Sequence, residues 1–158
     1  MYSKIRTKSP YVILILFVAF LDQVTKSYFI DLFSGVFLKG ISICPYLNFV
    51  HAWNQGISFG LFQGADYSNI IFMVLSSIIT IILFVMLYKN NSTTYSISYS
   101  LIIGGAIGNI VDRVKYGAVF DFIDFHVASY HWPAFNIADS FVCIGALLLV
   151  FFSLRVKN

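Results

Sequence analysis

Long apolar stretches separated by short polar breaks run the length of the chain. Four of them reach the roughly 20 residues that a helix needs to cross a bilayer. They fall at about 11–30, 68–88, 97–114 and 137–154. The second is cleanly apolar (IIFMVLSSIITIILFVML), while Asp22 and Lys26 interrupt the first. The third is glycine-rich and ends polar, and the fourth starts polar and ends apolar (FVCIGALLLVFFSL). Lys4, Arg6 and Lys8 ahead of the first stretch resemble the start of a secretory leader. No small-residue cleavage site follows, and the run continues through DQVTKSYFI, so it reads as a retained anchor. Between the first two stretches, FSGVFLKG and ISICPYLNFVHAWNQGISFGLF are short β-like runs broken by Gly and Pro. They predict a small sheet or cradle. KNNSTTYS at 89–96 is the linker-like stretch, and predicts a short loop. The expected fold is an all-α polytopic membrane protein. It has four transmembrane helices, a small β-rich extracytoplasmic cradle and an outward loop before the fourth helix.

Composition sharpens this picture. Of 158 residues, 59% are hydrophobic and 11% charged, against about 25% charged in a soluble domain. All seven acidic residues are aspartate, with no glutamate anywhere. Glutamate is a good former of water-facing helices, so its absence argues that little helix surface meets water. Disorder is excluded, because it needs low hydrophobicity. The net charge of +3 is scattered and makes no basic stripe for nucleic acid. Cys44 and Cys143 give no disulfide framework or metal spacing, and Cys143 reads as a small core hydrophobe. If four spans alternate, Lys4, Arg6, Lys8, Lys89, Arg155 and Lys157 share one side, which the positive-inside bias makes cytoplasmic. Lys39 and Lys115 face outward, with Arg113 and Lys26 near that surface. Both termini are then expected in the cytoplasm, and connections 31–67 and 115–136 outside.

Ionisable groups inside a bilayer cost several kcal/mol and point to function. At 1.5 Å per residue, Asp22 lies about 16 Å into the first helix, Asn109 about 18 Å into the third, and Asp112 and Arg113 about 22 Å in. Asp139 is about 5 Å below the outer end of the fourth helix, and Asp121 and Asp124 precede it. The costly groups therefore converge on the outer leaflet, and the second span contributes none. Asn109, Asp112 and Arg113 share a helix face at i, i+3 and i+4. Gly104 and Gly108 form GxxxG, beside Gly105, which permits close helix approach. Taken singly these features are ordinary: Asp22 with Lys26 is an i,i+4 pair, Asp112–Arg113 a pair or cap at a helix end, and Asn136 an N-cap with Asp139 in its first turn. Arg113 can also pair with a loop carboxylate or a ligand carbonyl.

Taken together, Asp121 and Asp139 approach one zone from a loop and a helix start. Two close carboxylates do not both ionise easily, so one serves as general base and the other as general acid on a shared water. His51, His126 and His131 lack metal-ligand spacing, and no G-x-S-x-G context supports a serine nucleophile. A proton-coupled transporter would spread its carboxylates through the full thickness, and no inverted repeat is visible. An assembly subunit packing through GxxxG would not need the paired aspartates.

Five blocks in order carry a resemblance: DQVTK at 22–26, NQGISFG at 54–60, GGAIGNIVDR at 104–113, VFDFIDF at 119–125 and PAFNIADS at 133–140. With these, nearly the whole chain resembles bacterial lipoprotein signal peptidase (signal peptidase II). The second block has Ser58 where the family often has Ala. The resemblance implies one membrane-embedded peptidase domain over 1–158, in the bacterial inner membrane. It implies an aspartic endopeptidase that removes the signal peptide from diacylglyceryl-modified prolipoproteins, cleaving N-terminal to the lipidated cysteine. Asp121 and Asp139 match the catalytic dyad. Asn54, Gly56, Asn109, Arg113 and Asn136 match positions expected to bind substrate or orient the carboxylates. Asp22, Gly108 and Asp112 match supporting positions. No cofactor or metal is implied. The expected partners are prolipoproteins, membrane lipids and globomycin-type cyclic peptides, and not nucleic acid.

Overall fold

The computed structural model describes residues 7–34, 40–56 and 67–155. Lys4, Arg6, Lys39, Lys157 and Ser58 lie outside the described residues. Four helices are long and apolar enough to cross a membrane: α1 (Ser9–Ser34), α2 (Ser68–Lys89), α3 (Thr93–Tyr116) and α4 (Ile137–Arg155). The strands are β1 (Gly40–Cys44), β2 (Leu47–Asn54), β3 (Val119–Val127) and β4 (Tyr130–His131), paired antiparallel in the order β1-β2-β3-β4. The chain is mostly helical, with the expected small sheet.

α3 is the centre of the bundle, packed against α1, α2 and α4. Its glycines make this possible. A Cβ on Gly104 would lie 2.7 Å from the Val18 Cβ and 2.9 Å from the Ile15 carbonyl oxygen of α1. A Cβ on Gly108 would collide with the Asp22 carboxylate. GxxxG thus serves the α1–α3 crossing, where backbones approach through van der Waals packing rather than a hydrophobic driving force. At one end of the bundle Tyr11, Ile15, Leu87, Tyr99 and Ile103 form a core cluster. The Lys8 ammonium donates to the Asn90 carbonyl oxygen, so the start of α1 lies beside the α2–α3 link.

That link is shorter than the polar run 89–96 predicts. Only residues 90–92 are non-helical, and α3 begins at Thr93. Two serines further along its first half bond one turn back, Ser98 Oγ to the Thr94 oxygen at 3.0 Å and Ser100 Oγ to that of Ser96 at 2.8 Å, whereas the buried Ser96 hydroxyl has no partner among the described residues. Cys143 is exposed on α4, not in the core: it sits on an outer face of the bundle, which a membrane helix also keeps apolar.

The opposite end carries the sheet. α1 has 26 residues, about 39 Å of helix against a hydrocarbon core of about 30 Å. Its last turns reach the strands, where Phe29 stacks on Phe122 with centroids 4.3 Å apart and lies 4.5 Å from Phe49. The connection 115–136 is mostly strand, so Asp121 and Asp124 sit on β3 rather than in an open loop. Gly117, left-handed at φ 73°, ends α3 by returning its N–H to the Arg113 oxygen at 3.1 Å.

Candidate functional site

Strand register brings the first residues together. Asn48 lies opposite Asp124 and Phe49 opposite Ile123, but further on Ala52 lies opposite Asp121 and Asn54 opposite Val119. β2 therefore spends one extra residue, a bulge, between these pairs. Without it Asp121 would face His51, and Asn54 would point to the other side of the sheet, because a one-residue slip reverses every side chain. With it, Asn54 Nδ2 donates to Asp121 Oδ2 at 3.0 Å.

The start of α4 supplies the second carboxylate. Asn136 and Asp139 form a reciprocal cap. The Asp139 N–H donates to Asn136 Oδ1 at 2.9 Å, and the Asn136 N–H donates to Asp139 Oδ2 at 3.2 Å. The cap also carries chemistry. With its oxygen occupied, Asn136 turns Nδ2 onto Asp121 Oδ1 at 2.7 Å. One fully buried asparagine therefore ties the two carboxylates together.

Two further asparagines obey the same rule. The Asn54 oxygen accepts the Gly56 N–H at 2.8 Å, in a turn where Gly56 has φ 103°. The Asn109 oxygen accepts from Lys26 Nζ at 2.9 Å, which aims its Nδ2 at Asp139 Oδ1 at 2.8 Å. In each case a cation or a backbone N–H takes the carbonyl end, so the NH₂ end donates to an aspartate. An ionised aspartate in these positions could not donate. Burial first, then the charge of Asp139, pushes the Asp121 carboxyl up to about 7, against the opposing hydrogen bonds from Asn54 and Asn136.

Behind the asparagines lies a buried ionic cluster. Lys26 is 2% exposed and contacts Asp22 Oδ2 at 2.8 Å and Asp112 Oδ2 at 2.9 Å, besides Asn109. Gln23 Nε2 donates to Asp112 Oδ1 at 2.8 Å and to the Gly108 oxygen at 3.2 Å. Asp22 Oδ1 accepts the Ala138 N–H at the start of α4 at 2.9 Å, and Asp112 Oδ2 accepts the Phe120 N–H of β3 at 3.1 Å. Each acid thus pins an element that carries one carboxylate of the site.

The sequence pattern placed Asp112 beside Arg113, but across helices it pairs with Lys26, and among the described residues Arg113 forms no ion pair. The i,i+4 pair of Asp22 with Lys26 is present as expected, while the contacts of Lys26 with Asp112 and Asn109 and the part played by Gln23 were not foreseen. The available signal was a lysine within a membrane helix, which needs more than one acceptor to be tolerated.

Arg113 instead lines a cavity of about 370 Å³ with Asn54, Gly56, Phe72, Asp139 and the segment 132–135. Its Cζ lies 5.8 Å from the Phe72 ring centroid, and its buried Nε has no partner among the described residues. Asp139 forms part of the cavity wall, and Asp121 lies behind Asn54 and Asn136. Among the described residues no three His, Cys, Asp or Glu side chains sit close enough together to hold a metal ion.

Fold and site define a multi-pass membrane protein with an acidic site where its helix bundle meets a small sheet. Residues 14–155 match the family model described as Signal peptidase (SPase) II, and the chain belongs to that family of bacterial membrane peptidases. It is 42% identical over 138 residues, 87% of each chain, to the lipoprotein signal peptidase of Anaplasma phagocytophilum (strain HZ). It is 43% identical over 148 residues to that of Polynucleobacter necessarius subsp. necessarius (strain STIR1), covering 92% of this chain and 89% of the relative. A bacterial membrane enzyme solved by the in meso method at 2.3 Å resolution superposes with a TM-score of 0.81 at 31% identity, covering 100% of this chain and 94% of that one.

Proposed function

We propose that this protein is an aspartic endopeptidase that removes signal peptides from prolipoproteins, with Asp121 and Asp139 as its catalytic pair. The reading rests on one observation above the others: Asn136 donates its side-chain Nδ2 to the Asp121 carboxylate and its backbone N–H to that of Asp139, which forms part of a cavity wall. The pair shares one proton. The ionised carboxylate takes a proton from water as its oxygen adds to the scissile carbonyl carbon, and the protonated one supports the developing oxyanion. Collapse of the tetrahedral intermediate breaks the C–N bond, and the leaving amine takes up the proton. Asn109 and Asn136 hold the carboxylates in place, Asn54 at the end of β2 and Gly56 in the turn after it close over the substrate, and Arg113 contributes a cationic edge to a substrate carbonyl. Asp22, Gly108 and Asp112 support this arrangement through the Lys26 cluster.

The substrate is a prolipoprotein whose cysteine carries diacylglycerol, cut on the N-terminal side of that cysteine. The lipid keeps it in the bilayer, so the site lies near the outer leaflet with both termini in the cytoplasm. That orientation is favoured by Lys8, Lys89 and Arg155 at the ends of the helices away from the sheet. Chain 1–158 acts as one domain, with membrane lipids around it and globomycin-type cyclic peptides as competitors for the cavity.

The test is cleavage of purified diacylglyceryl-modified prolipoprotein. Wild type should release the signal peptide, and Asp139→Asn should lose at least about 10³-fold in rate while remaining folded. Undiminished cleavage by Asp139→Asn would remove the dyad.

A further inference from the structure

A second polar cluster fastens the outer edge of the sheet. His131 Nδ1 donates to both oxygens of Asp124, at 2.8 and 3.0 Å, and Asn48 Nδ2 donates to Oδ2 at 3.0 Å. The His126 ring stacks on His131 with centroids 4.9 Å apart. Burial pushes the Asp124 carboxyl up, but hydrogen bonds from His131 and Asn48 outweigh it and hold it below the usual carboxylate range. The His131 side chain is 52% exposed, so these contacts rather than close packing hold its ring.

The cluster matters because of its place in the chain, directly before the cavity. Residues 132–135 form one wall of that cavity, and Asn136 comes next. This segment is irregular, and it is tied to β3 at its two ends, Trp132 and Phe135. The Trp132 N–H donates to the Phe125 oxygen at 2.8 Å, the Phe135 N–H donates to the Ile123 oxygen at 3.0 Å, the Phe135 oxygen accepts the N–H groups of Phe122 at 3.1 Å and Ile123 at 2.9 Å, and the Phe125 and Phe135 rings stack at 5.7 Å. A short irregular segment is fixed only as well as its ends are.

We propose that Asp124 and His131 form a positioning clasp that holds the 132–135 wall in place and thereby sets the affinity of the cavity for substrate. The clasp touches neither carboxylate of the pair, so it acts on binding and not on the chemical step. The inference rests on the peptidase reading of that cavity.

Two measurements on the purified full chain test it. In hydrogen exchange, His131→Ala should speed exchange of the amides in 132–136 and leave α2 unchanged; unchanged exchange there overturns the clasp. In prolipoprotein cleavage, His131→Ala should raise KM about five- to tenfold with kcat within about twofold. His131→Gln, which keeps a donor toward Asp124, should return KM most of the way to wild type. A fall in kcat at constant KM, or an unchanged KM, overturns the role in binding. Failure of the wild-type protein to cleave would instead sink the peptidase reading and leave the clasp to be judged by exchange.

Discussion

α2 and α3 are neighbours in sequence and opposites in use. Only 6% of the α2 span is buried within the protein, against 50% of the α3 span. In a water-soluble protein the more apolar helix would be the inner one. Here the cleanly apolar α2 lies outside, and α3, with its serines, glycines, Asn109, Asp112 and Arg113, lies in the middle. In lipid, apolar surface gains nothing by turning inward, and polar groups gain everything. Along the membrane-spanning body of α2, Ser77 Oγ and Thr80 Oγ1 each donate to a carbonyl one turn back, at 2.7 Å, whereas Ser68 and Asn69 at its first turn donate to the Gln55 and Arg113 carbonyl oxygens. Ser98 and Ser100 of α3 also donate one turn back, but its Asn109 and Asp112 reach α1, α4 and β3, and that difference separates scaffold from site.

The comparison can be strained hardest at Lys26. Lys26→Met would leave Asp22 and Asp112 buried and facing each other without a cation, and would free the Asn109 amide to turn. A destabilisation of about 3–5 kcal/mol is expected, read as a fall in the unfolding midpoint of the purified protein. A midpoint unchanged from wild type would mean that the cluster is not the tie between α1 and α3. Gly104→Ala tests the same crossing by packing alone. With its Cβ 2.7 Å from that of Val18, α1 must shift, at a cost of about 1–3 kcal/mol.

A smaller effect is expected from pH. The Asp121 carboxyl stands at about 7 in the folded protein, above its ordinary 3.8. A carboxyl raised on folding contributes stability that is complete below the ordinary value and is lost as pH rises through the folded one. Between pH 6 and 7 the wild-type unfolding midpoint should therefore fall relative to that of Asp121→Asn, levelling off above that range. Parallel curves for the two proteins would show that Asp121 does not titrate there. The cleavage rate should decline over the same range as the shared proton is lost.

Much of this was readable from residues alone, for identifiable reasons. Runs of about 20 apolar residues mark spans because the bilayer has a fixed thickness, and all four became helices. Helical spacing showed that Gly104 and Gly108 share a face, though not that the face meets Val18 and Asp22. Local pairs misled where a partner across the bundle was better. Asp112 has Arg113 beside it in sequence, but the helix turns them apart, and Lys26 on α1 faces Asp112 instead. The cap formed by Asn136 and Asp139 was legible from an N-cap residue and an acid three positions on. That the same asparagine also reaches Asp121 was not, because it depends on the β2 bulge and on long-range strand register. KNNSTTYS looked like a loop because serine and threonine favour turns, but its second half continues into α3, which is packed against three other helices.

The gentlest test lies on the lipid-facing side. Ile81 is 64% exposed on α2. In water, truncating an isoleucine in a packed core costs about 2–5 kcal/mol, because a cavity stays open and apolar contacts are lost. On a face bathed in acyl chains the lipid fills the space, and the side chain has the same apolar surroundings before and after folding. Ile81→Ala should therefore change stability by no more than about 0.5 kcal/mol and leave prolipoprotein cleavage unaltered. A loss as large as that of Gly104→Ala would show that this face of α2 is packed against protein, and the division between an outer scaffold helix and an inner working one would no longer hold.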